Sequence, residues 1–194
     1  MEAWKEEALW LAKHSILEDF GKDNLSNYQP KSLELLKPGA AFVTLKTLQK
    51  SKEILRWCIG SLIAVRLLWQ DIYINAKNAA FSDPRFPSLT EDETKKLKIE
   101  ISVLTKPKLI RPSSIQELLK HLAQNKPWLI IKLWVYQATF LPSVWKELPN
   151  PEDFLMHLIY KAWLTPQEFI KNFDKSEISV YNSIEFEKKW EEIN

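Results

Sequence analysis

Residues 41–60 read AFVTLKTLQKSKEILRWCIG, and this stretch predicts a β-hairpin. Ala41 to Leu48 alternates apolar and polar residues and contains β-branched side chains, as is typical of a strand with one buried face. Ile54 to Gly60 supplies a second strand, and the polar residues Gln49 to Lys52 predict the turn between them. We therefore expect an antiparallel hairpin whose second strand is an inner strand of the sheet.

Segments with helical and strand patterns surround this hairpin. Met1 to Phe20 has apolar residues at helical spacing and is followed by Gly21, a natural C-terminal stop. Leu67 to Phe81 returns to helical spacing, with small alanines that suit close packing on a sheet. Capping signals predict helices that begin near Thr90, Ser114, Asn150 and Thr165. Alternation predicts a strand at Leu97 to Leu104, and the strongly strand-forming segment Trp128 to Leu141 is long enough for two short strands. A further strand is predicted at Ile178 to Tyr181 and a terminal helix at Glu185 to Glu192. The mixture predicts an α+β fold, with a mainly antiparallel sheet flanked by helices.

Composition restricts the class of protein. The 194 residues are 45% hydrophobic, which is enough for a buried core. The 27 basic and 25 acidic residues nearly balance, so bulk charge favours neither a nucleic-acid nor a membrane partner. We expect no membrane partner, and nucleic acid enters only as an alternative. The N-terminus has no signal-peptide pattern, and no apolar run approaches the roughly 18 residues of a membrane span. The single cysteine excludes an internal disulfide. We therefore expect a cytoplasmic location.

Cys58 is the first candidate for chemistry. In an extended strand Arg56, Cys58 and Gly60 lie on one face, so Arg56 is positioned to lower the pKa of the thiol and to favour a nucleophilic thiolate. The alternative is that Cys58 is a small buried hydrophobic residue, as free cysteines often are.

A second group of polar residues follows the predicted helix at Leu67 to Phe81. In the sequence SDPRFP, two prolines restrict the loop that carries Asp83 and Arg85, and this suits recognition of a carboxylate or phosphate by the planar guanidinium. Asn75 precedes this loop and joins the candidate ligand-binding set. The alternative is that Asp83 and Arg85 only brace the loop.

Glu100 and Ser102 alternate onto one face of the strand predicted at Leu97 to Leu104. They either line the same cleft as Cys58 and Arg85 or form a solvated face. None of the three histidines lies in a ligand-spaced pattern, so we expect no metal site and no cofactor.

Five ordered motifs resemble those of a known family, the AMMECR proteins. The motifs are LR-x-CIGS from Leu55 to Ser61, NA-x-x-AAF-x-DPRFP from Asn75 to Pro87, IE-x-SVL from Ile99 to Leu104, ATFLP-x-VW from Ala138 to Trp145, and FL-x-x-L-x-x-KA from Phe154 to Ala162. The resemblance covers nearly all of the chain from about Phe42 onward, and it implies a compact α+β fold with a smaller second lobe. We therefore expect a single domain of this kind over residues 1–194, in two lobes, with an N-terminal helix and connector at 1–39. The resemblance also implies a catalytic or binding role for the surface around the cysteine motif. In prokaryotes the family is linked to a dioxygenase-like protein partner and to a radical S-adenosylmethionine protein.

The chain departs from the family pattern where glycine is expected. Tryptophan stands at Trp57, Trp128, Trp134 and Trp163, and the chain has only 3 glycines but 9 tryptophans. Glycine allows close backbone approach or a positive φ, and tryptophan does neither without cost. We therefore expect rearranged neighbours, or replaced family glycines, at these four positions.

Together these observations predict an uncharacterised conserved intracellular protein of the AMMECR family. Its cleft, with Cys58 as nucleophile and Arg56, Asn75, Asp83, Arg85, Glu100 and Ser102 as ligand-binding residues, is expected to take an unknown ligand. Whether the cleft is catalytic is left open. The alternative is a non-catalytic module that binds a protein or nucleic acid.

Overall fold

The computed structural model describes residues 1–49, 52–140 and 144–194. Six α-helices lie in these residues: α1 (Ala3–Asp19), α2 (Leu68–Ser82), α3 (Ile115–Asn125), α4 (Val144–Glu147), α5 (Pro151–Lys161) and α6 (Pro166–Lys171). Ten strands lie there as well: β1 (Pro38–Gly39), β2 (Ala41–Gln49), β3 (Lys52–Gly60), β4 (Arg66–Leu67), β5 (Leu97–Leu104), β6 (Lys108–Ile110), β7 (Trp128–Leu133), β8 (Tyr136–Phe140), β9 (Glu177–Tyr181) and β10 (Ser183–Lys189). Short 3-10 helices complete the secondary structure at Glu91–Lys96, Phe173–Lys175 and Trp190–Glu192.

The chain divides into two compact units, residues 1–104 with 183–194 and residues 105–182. All strand pairs are antiparallel among the residues described, which confirms the predicted α+β class. Within this described part, no helix is both long and apolar enough to cross a membrane. The extent of a single family domain over 1–194 stays a prediction.

The first unit contains a four-stranded sheet in the order β10-β5-β2-β3. Alternate residues of its strands, such as Val43, Ile101 and Phe186, join buried residues of α1 and α2 in one apolar core. The helices therefore cover one face of the sheet, and the intervening residues of each strand point to the other face.

The hairpin of β2 and β3 confirms the prediction from residues 41–60, although residues 50 and 51 of its predicted turn lie outside the described residues. The predicted position of the second strand is wrong, since β3 is an edge strand and β2 is the inner one. An apolar edge strand is stable here because Trp57 is completely buried and its Nε1 donates to the Pro87 carbonyl at 2.9 Å. The loop after α2, which contains Pro87, thus covers the free edge of β3, where another strand could otherwise pair.

The terminal helix predicted at Glu185 to Glu192 is also wrong. Residues Ser183–Lys189 form β10, which pairs with β5 along its length, and only Trp190–Glu192 turn into a 3-10 helix. Pairing with β5 buries Phe186 in the core and leaves its neighbours Glu185 and Glu187 on the other face of the sheet.

The second unit has the sheet order β6-β9-β7-β8, with its own apolar core drawn from this sheet and from α3 and α5. Helix starts follow the predicted caps: the side chains of Ser114, Asn150 and Thr165 each accept a hydrogen bond from a backbone N–H of the first helical turn. The segment at Trp128 to Leu141 forms two strands as predicted, and its final residue, Leu141, lies outside the described residues.

Two of the four tryptophans at family glycine positions have the backbone conformation that favours glycine. Trp134, in the turn between β7 and β8, has φ 55°, and Trp163, after α5, has φ 60°. Trp57 and Trp128 instead are buried core residues, exposed by 0% and 3%. The backbone strain expected for tryptophan in place of glycine is therefore found at Trp134 and Trp163. At Trp57 and Trp128 the indole is instead buried in the interior.

Candidate functional site

A row of side chains crosses the first sheet on the face away from the helices. Cys58 of β3 lies opposite Thr44 of β2, Thr44 lies opposite Glu100 of β5, and Glu100 lies opposite Glu187 of β10. We call these four residues the Cys58 row. The single cysteine of the chain is therefore at one end of a polar line that spans all four strands.

Asp83 and Arg85 bind both backbone polar groups of Cys58. Asp83 Oδ2 accepts a hydrogen bond from the Cys58 N–H at 3.0 Å, and Arg85 Nη2 donates to the Cys58 carbonyl at 3.0 Å. These groups face outward from an edge strand, where a neighbouring strand would otherwise bind them. The side-chain pair thus completes the hydrogen bonding of the edge and fixes Arg85 beside the cysteine.

Asp83 also holds the guanidinium of Arg85 in one orientation. Arg85 Nε donates to Oδ1 at 3.0 Å and Nη2 donates to Oδ2 at 2.7 Å, a two-point contact. The Arg85 side chain is 54% exposed, whereas that of Asp83 is fully buried. The hydrogen bond from Arg85 is the main reason that the pKa of the Asp83 carboxyl lies well below its ordinary value. The buried carboxylate therefore carries charge at neutral pH and supports an exposed cation above it.

The thiol of Cys58 is partly buried and accepts a hydrogen bond from Thr44 Oγ1 at 3.1 Å. Burial raises the pKa of the Cys58 thiol above its ordinary value, and the opposing influences of Thr44 and Arg85 are smaller. The expectation that a nearby arginine lowers this pKa overall is thus wrong in sign. At neutral pH the group is a neutral thiol.

Arg56 does not share the face of Cys58. Leu45 pairs with Trp57 but Lys46 pairs with Leu55, so Arg56 is the extra residue of a β-bulge, and the two-residue alternation does not hold there. Its guanidinium lies 4.6 Å from the Trp57 ring centroid, and its Nη2 donates to Glu93 at 3.3 Å. The predicted pairing of Arg56 with the thiol is therefore wrong, and Arg85 is the cation that acts on Cys58.

Glu100 is held by lysine. Lys46 Nζ donates to Glu100 at 2.6 Å and to Glu187 at 3.1 Å. Burial alone would lower the pKa of Lys46, but these two hydrogen bonds raise it above its ordinary value. Lys98 bridges Glu187 and Glu53 in the same way. The far end of the Cys58 row is thus a paired charge network rather than a set of free carboxylates.

Asn75 belongs to a different cluster, in the interior. Its Nδ2 donates to the Ala41 carbonyl at 3.1 Å and to Asp71 at 3.0 Å, and Asp71 also accepts from the Ala41 N–H at 2.8 Å and from Ser61 Oγ at 2.7 Å. This buried cluster binds the start of β2 to the end of the cysteine motif, so the geometry gives Asn75 a structural place.

Of the predicted site residues, the structure brings together Cys58, Asp83 and Arg85, and it places Glu100 in the same row of the sheet. Ser102 is buried one row further along, opposite Phe42 and Glu185. Sequence reasoning missed Thr44, which binds the thiol directly. The alternation of residues 41–48 places Thr44 on the polar face, but only the pairing register places it beside Cys58.

A metal ion has no evident place in residues 1–49, 52–140 or 144–194, where no group of three or more His, Cys, Asp or Glu side chains could hold one. The arrangement around Cys58 offers instead one fixed cation, one neutral thiol and a hydroxyl. These groups are suited to binding a polar or anionic group.

Comparisons with known proteins give consistent matches. A protein of Saccharolobus islandicus is 38% identical over 166 residues, covering 84% of this chain and 72% of the relative. A protein of Sulfolobus acidocaldarius is 33% identical over 188 residues, covering 94% and 82%. The crystal structure of an uncharacterized protein from Pyrococcus horikoshii is similar with a TM-score of 0.73 and 27% identity, covering 97% of this chain and 93% of that one. The profile of the AMMECR1 family matches residues 9–186.

Proposed function

Because the chain belongs to the AMMECR1 family, and the matched residues 9–186 contain Cys58, Asp83 and Arg85, we propose that these residues form a ligand-binding site. In this proposal Arg85 binds the carboxylate or phosphate group of a small ligand, and the neutral Cys58 thiol contacts the ligand beside it. The observation that carries the proposal is the fixed orientation of an exposed guanidinium at the backbone of Cys58.

Preorganisation supports this role for Arg85. Binding by a long side chain normally costs the freedom of its rotamers, and here Asp83 has already fixed the guanidinium. Among the described residues, Nη1 of Arg85 makes no hydrogen bond, so it remains a donor for an incoming oxygen anion. A planar guanidinium recognises carboxylate and phosphate groups well for this reason.

The thiol favours binding over nucleophilic attack. Only the thiolate is a good nucleophile, and burial raises the pKa of Cys58, so the thiolate fraction at neutral pH is small. A neutral cysteine acts as a small apolar contact with a weak S–H donor.

A cysteine-dependent reaction is the second candidate, and one observation favours it. The hydrogen bond from Thr44 Oγ1 to Sγ would stabilise a thiolate, as would the charge of Arg85. A ligand group that neutralises Glu100 on binding would shift the balance further, because the Glu100 charge raises the pKa of the thiol. The dioxygenase-like partner, the cytoplasmic location and a role for Ser102 stay predictions.

Two alkylating reagents test the anion-binding role. Iodoacetate is negatively charged and iodoacetamide is neutral, yet both react with the thiolate, so the ratio of their rates at one pH cancels the thiolate fraction. Cys58 is the single cysteine, and any alkylation therefore reports on this site. Because the exposed Arg85 guanidinium lies beside Cys58 and its carboxylate partner Asp83 is buried, we expect the ratio at low salt to exceed that of N-acetylcysteine about threefold.

The Arg85→Gln variant should lower this ratio to the value for N-acetylcysteine or below it, because the Asp83 carboxylate beside Cys58 then lacks its cation. Arg56→Gln is the matched control because it removes the same charge from the neighbouring bulge. The limiting rate with iodoacetamide, taken at a pH high enough to ionise the thiol fully, checks that the thiol is equally accessible in all three proteins. A wild-type ratio equal to that of N-acetylcysteine, or a ratio that Arg85→Gln leaves unchanged, would refute the proposed site.

A further inference from the structure

A second groove in the first unit shares no residue with the Cys58 row. It has a volume of about 400 Å³ and lies between the connector after α1 and the outer side of α2. Its lining residues are mostly aromatic or aliphatic: Leu25, Tyr28, Arg66, Trp69, Gln70, Tyr73 and Ile74. Small-molecule sites typically have this size and this composition, apolar walls with a few polar groups.

Aromatic rings form the walls of this groove. Tyr28 and Trp69 contact each other edge to face, with ring centroids 5.8 Å apart and an interplanar angle of 63°. Trp10 stacks behind Tyr28 at 5.6 Å and supports its ring. The hydroxyls of Tyr28 and Tyr73 are bound to Glu7 and Glu18, so the rings are held in place from outside the groove. A planar ring is the shape that such walls accommodate best.

Arg66 is the cation of the groove, and its hydrogen-bonding capacity is unused. Its side chain is 34% exposed, and its Nε lies 3.7 Å from Asp71 Oδ1, an ion pair without a hydrogen bond. Asp71 already accepts hydrogen bonds from Ala41, Ser61 and Asn75. Within the part of the chain that the structure describes, the guanidinium of Arg66 donates no hydrogen bond, although an arginine has five N–H donors. A half-buried cation with free donors in an aromatic groove points to an anionic ligand.

We propose that this groove binds a small planar aromatic molecule that carries a carboxylate or phosphate group. Its ring lies among Tyr28, Trp69 and Tyr73, and its anionic group accepts hydrogen bonds from Arg66. The volume of the groove fits a molecule with a single ring or two fused rings. The charged group distinguishes this ligand from a purely apolar one, because it satisfies donors that water would otherwise have to satisfy at the groove wall.

Ligand-observed NMR with indole-3-acetate tests the proposal. Indole has the same ring without the charge, tryptamine has the ring with a cation, and acetate has the charge without the ring. We expect saturable binding of indole-3-acetate with a dissociation constant on the order of 1 mM, which is reasonable for a ligand of this size. We expect indole to bind about tenfold more weakly, and tryptamine and acetate to bind more weakly still.

Two variants and a control assign the binding to the groove. Arg66→Gln should weaken indole-3-acetate about tenfold and leave indole unchanged, and Trp69→Leu should weaken both ring ligands. Arg111→Gln, which removes an arginine of the second unit, should change neither. The far-ultraviolet circular dichroism and the melting temperature of each variant establish that it is folded. Binding of indole-3-acetate no tighter than that of indole, or binding that Arg66→Gln leaves intact, would overturn the proposal.

Discussion

Replacing Trp163 with glycine should stabilise this protein, although tryptophan has the largest side chain of all amino acids and glycine has none. Trp163 follows α5 and has φ 60°. Its N–H donates to the Tyr160 carbonyl at 2.9 Å, and the N–H of Leu164 donates to the Ile159 carbonyl at 3.2 Å. These two bonds define a Schellman motif, in which the residue at the position of Trp163 is usually glycine.

The expected gain follows from the backbone and not from contacts. A left-handed conformation costs an L-residue about 1–2 kcal/mol, and glycine avoids this cost. Glycine in turn loses about 0.5–1 kcal/mol more conformational entropy on folding. Trp163 as a whole residue is 89% exposed, so little burial is lost. The free energy of unfolding should therefore rise by about 1 kcal/mol, and the melting temperature by about 2–4 °C.

Urea denaturation followed by circular dichroism at 222 nm measures this change. Trp163→Ala is the first control, because it removes the indole but keeps the Cβ, and it should change stability by less than about 0.5 kcal/mol. Gly21→Ala is the reverse control: Gly21 ends α1 in the same motif with φ 68°, and a Cβ there would meet no atom within 4 Å. It should lose about 1 kcal/mol through backbone strain alone. If Trp163→Gly does not exceed Trp163→Ala in stability, the reasoning is refuted.

Three further predictions concern the first unit. Thr47→Val should stabilise the protein by about 1 kcal/mol in urea denaturation, because the buried Thr47 hydroxyl has no hydrogen-bond partner among the described residues; a loss of stability would contradict this. Gly60→Ala should cost about 2 kcal/mol in the same assay, since a Cβ there would lie 2.3 Å from Cγ of Phe42; a neutral effect would contradict the close approach of β3 to β2. Asp83→Asn should cost roughly 2 kcal/mol at pH 7. Because the pKa of Asp83 is depressed on folding, its contribution is present above about pH 4 and is lost as the pH falls below that. Stability curves of the wild type and Asp83→Asn should therefore converge in acid, and a constant difference down to pH 2 would show that the carboxylate charge is not the cause.

The parts of the fold that local chemistry determines could be predicted from the sequence. An N-cap depends on a side chain and the backbone of the next turn, so Ser114, Asn150 and Thr165 predicted the starts of three helices within a residue. The hairpin of β2 and β3 is local as well, with strands a few residues apart. Family resemblance identified glycine positions, and two of these have a positive φ.

Features that depend on distant partners could not be predicted. The strand β10 pairs with β5, which lies about 80 residues earlier, and its isolated sequence has both strand and helix character. The bulge at Arg56 exists only in the register between β2 and β3, and it removes Arg56 from the face of Cys58. Arg85 and Asp83 were identified as a pair, but their hydrogen bonds to the Cys58 backbone follow from β3 being an edge strand.

The pKa of the Cys58 thiol tests the central claim most directly, since that claim is a binding site with a neutral thiol. The dependence of the iodoacetamide alkylation rate on pH gives this value without ambiguity, because the chain has one cysteine. Burial should place the inflection above the ordinary value of about 8.5. An inflection at or below that value would show a stabilised thiolate, and it would favour a cysteine-dependent reaction over the binding site proposed for Cys58 and Arg85.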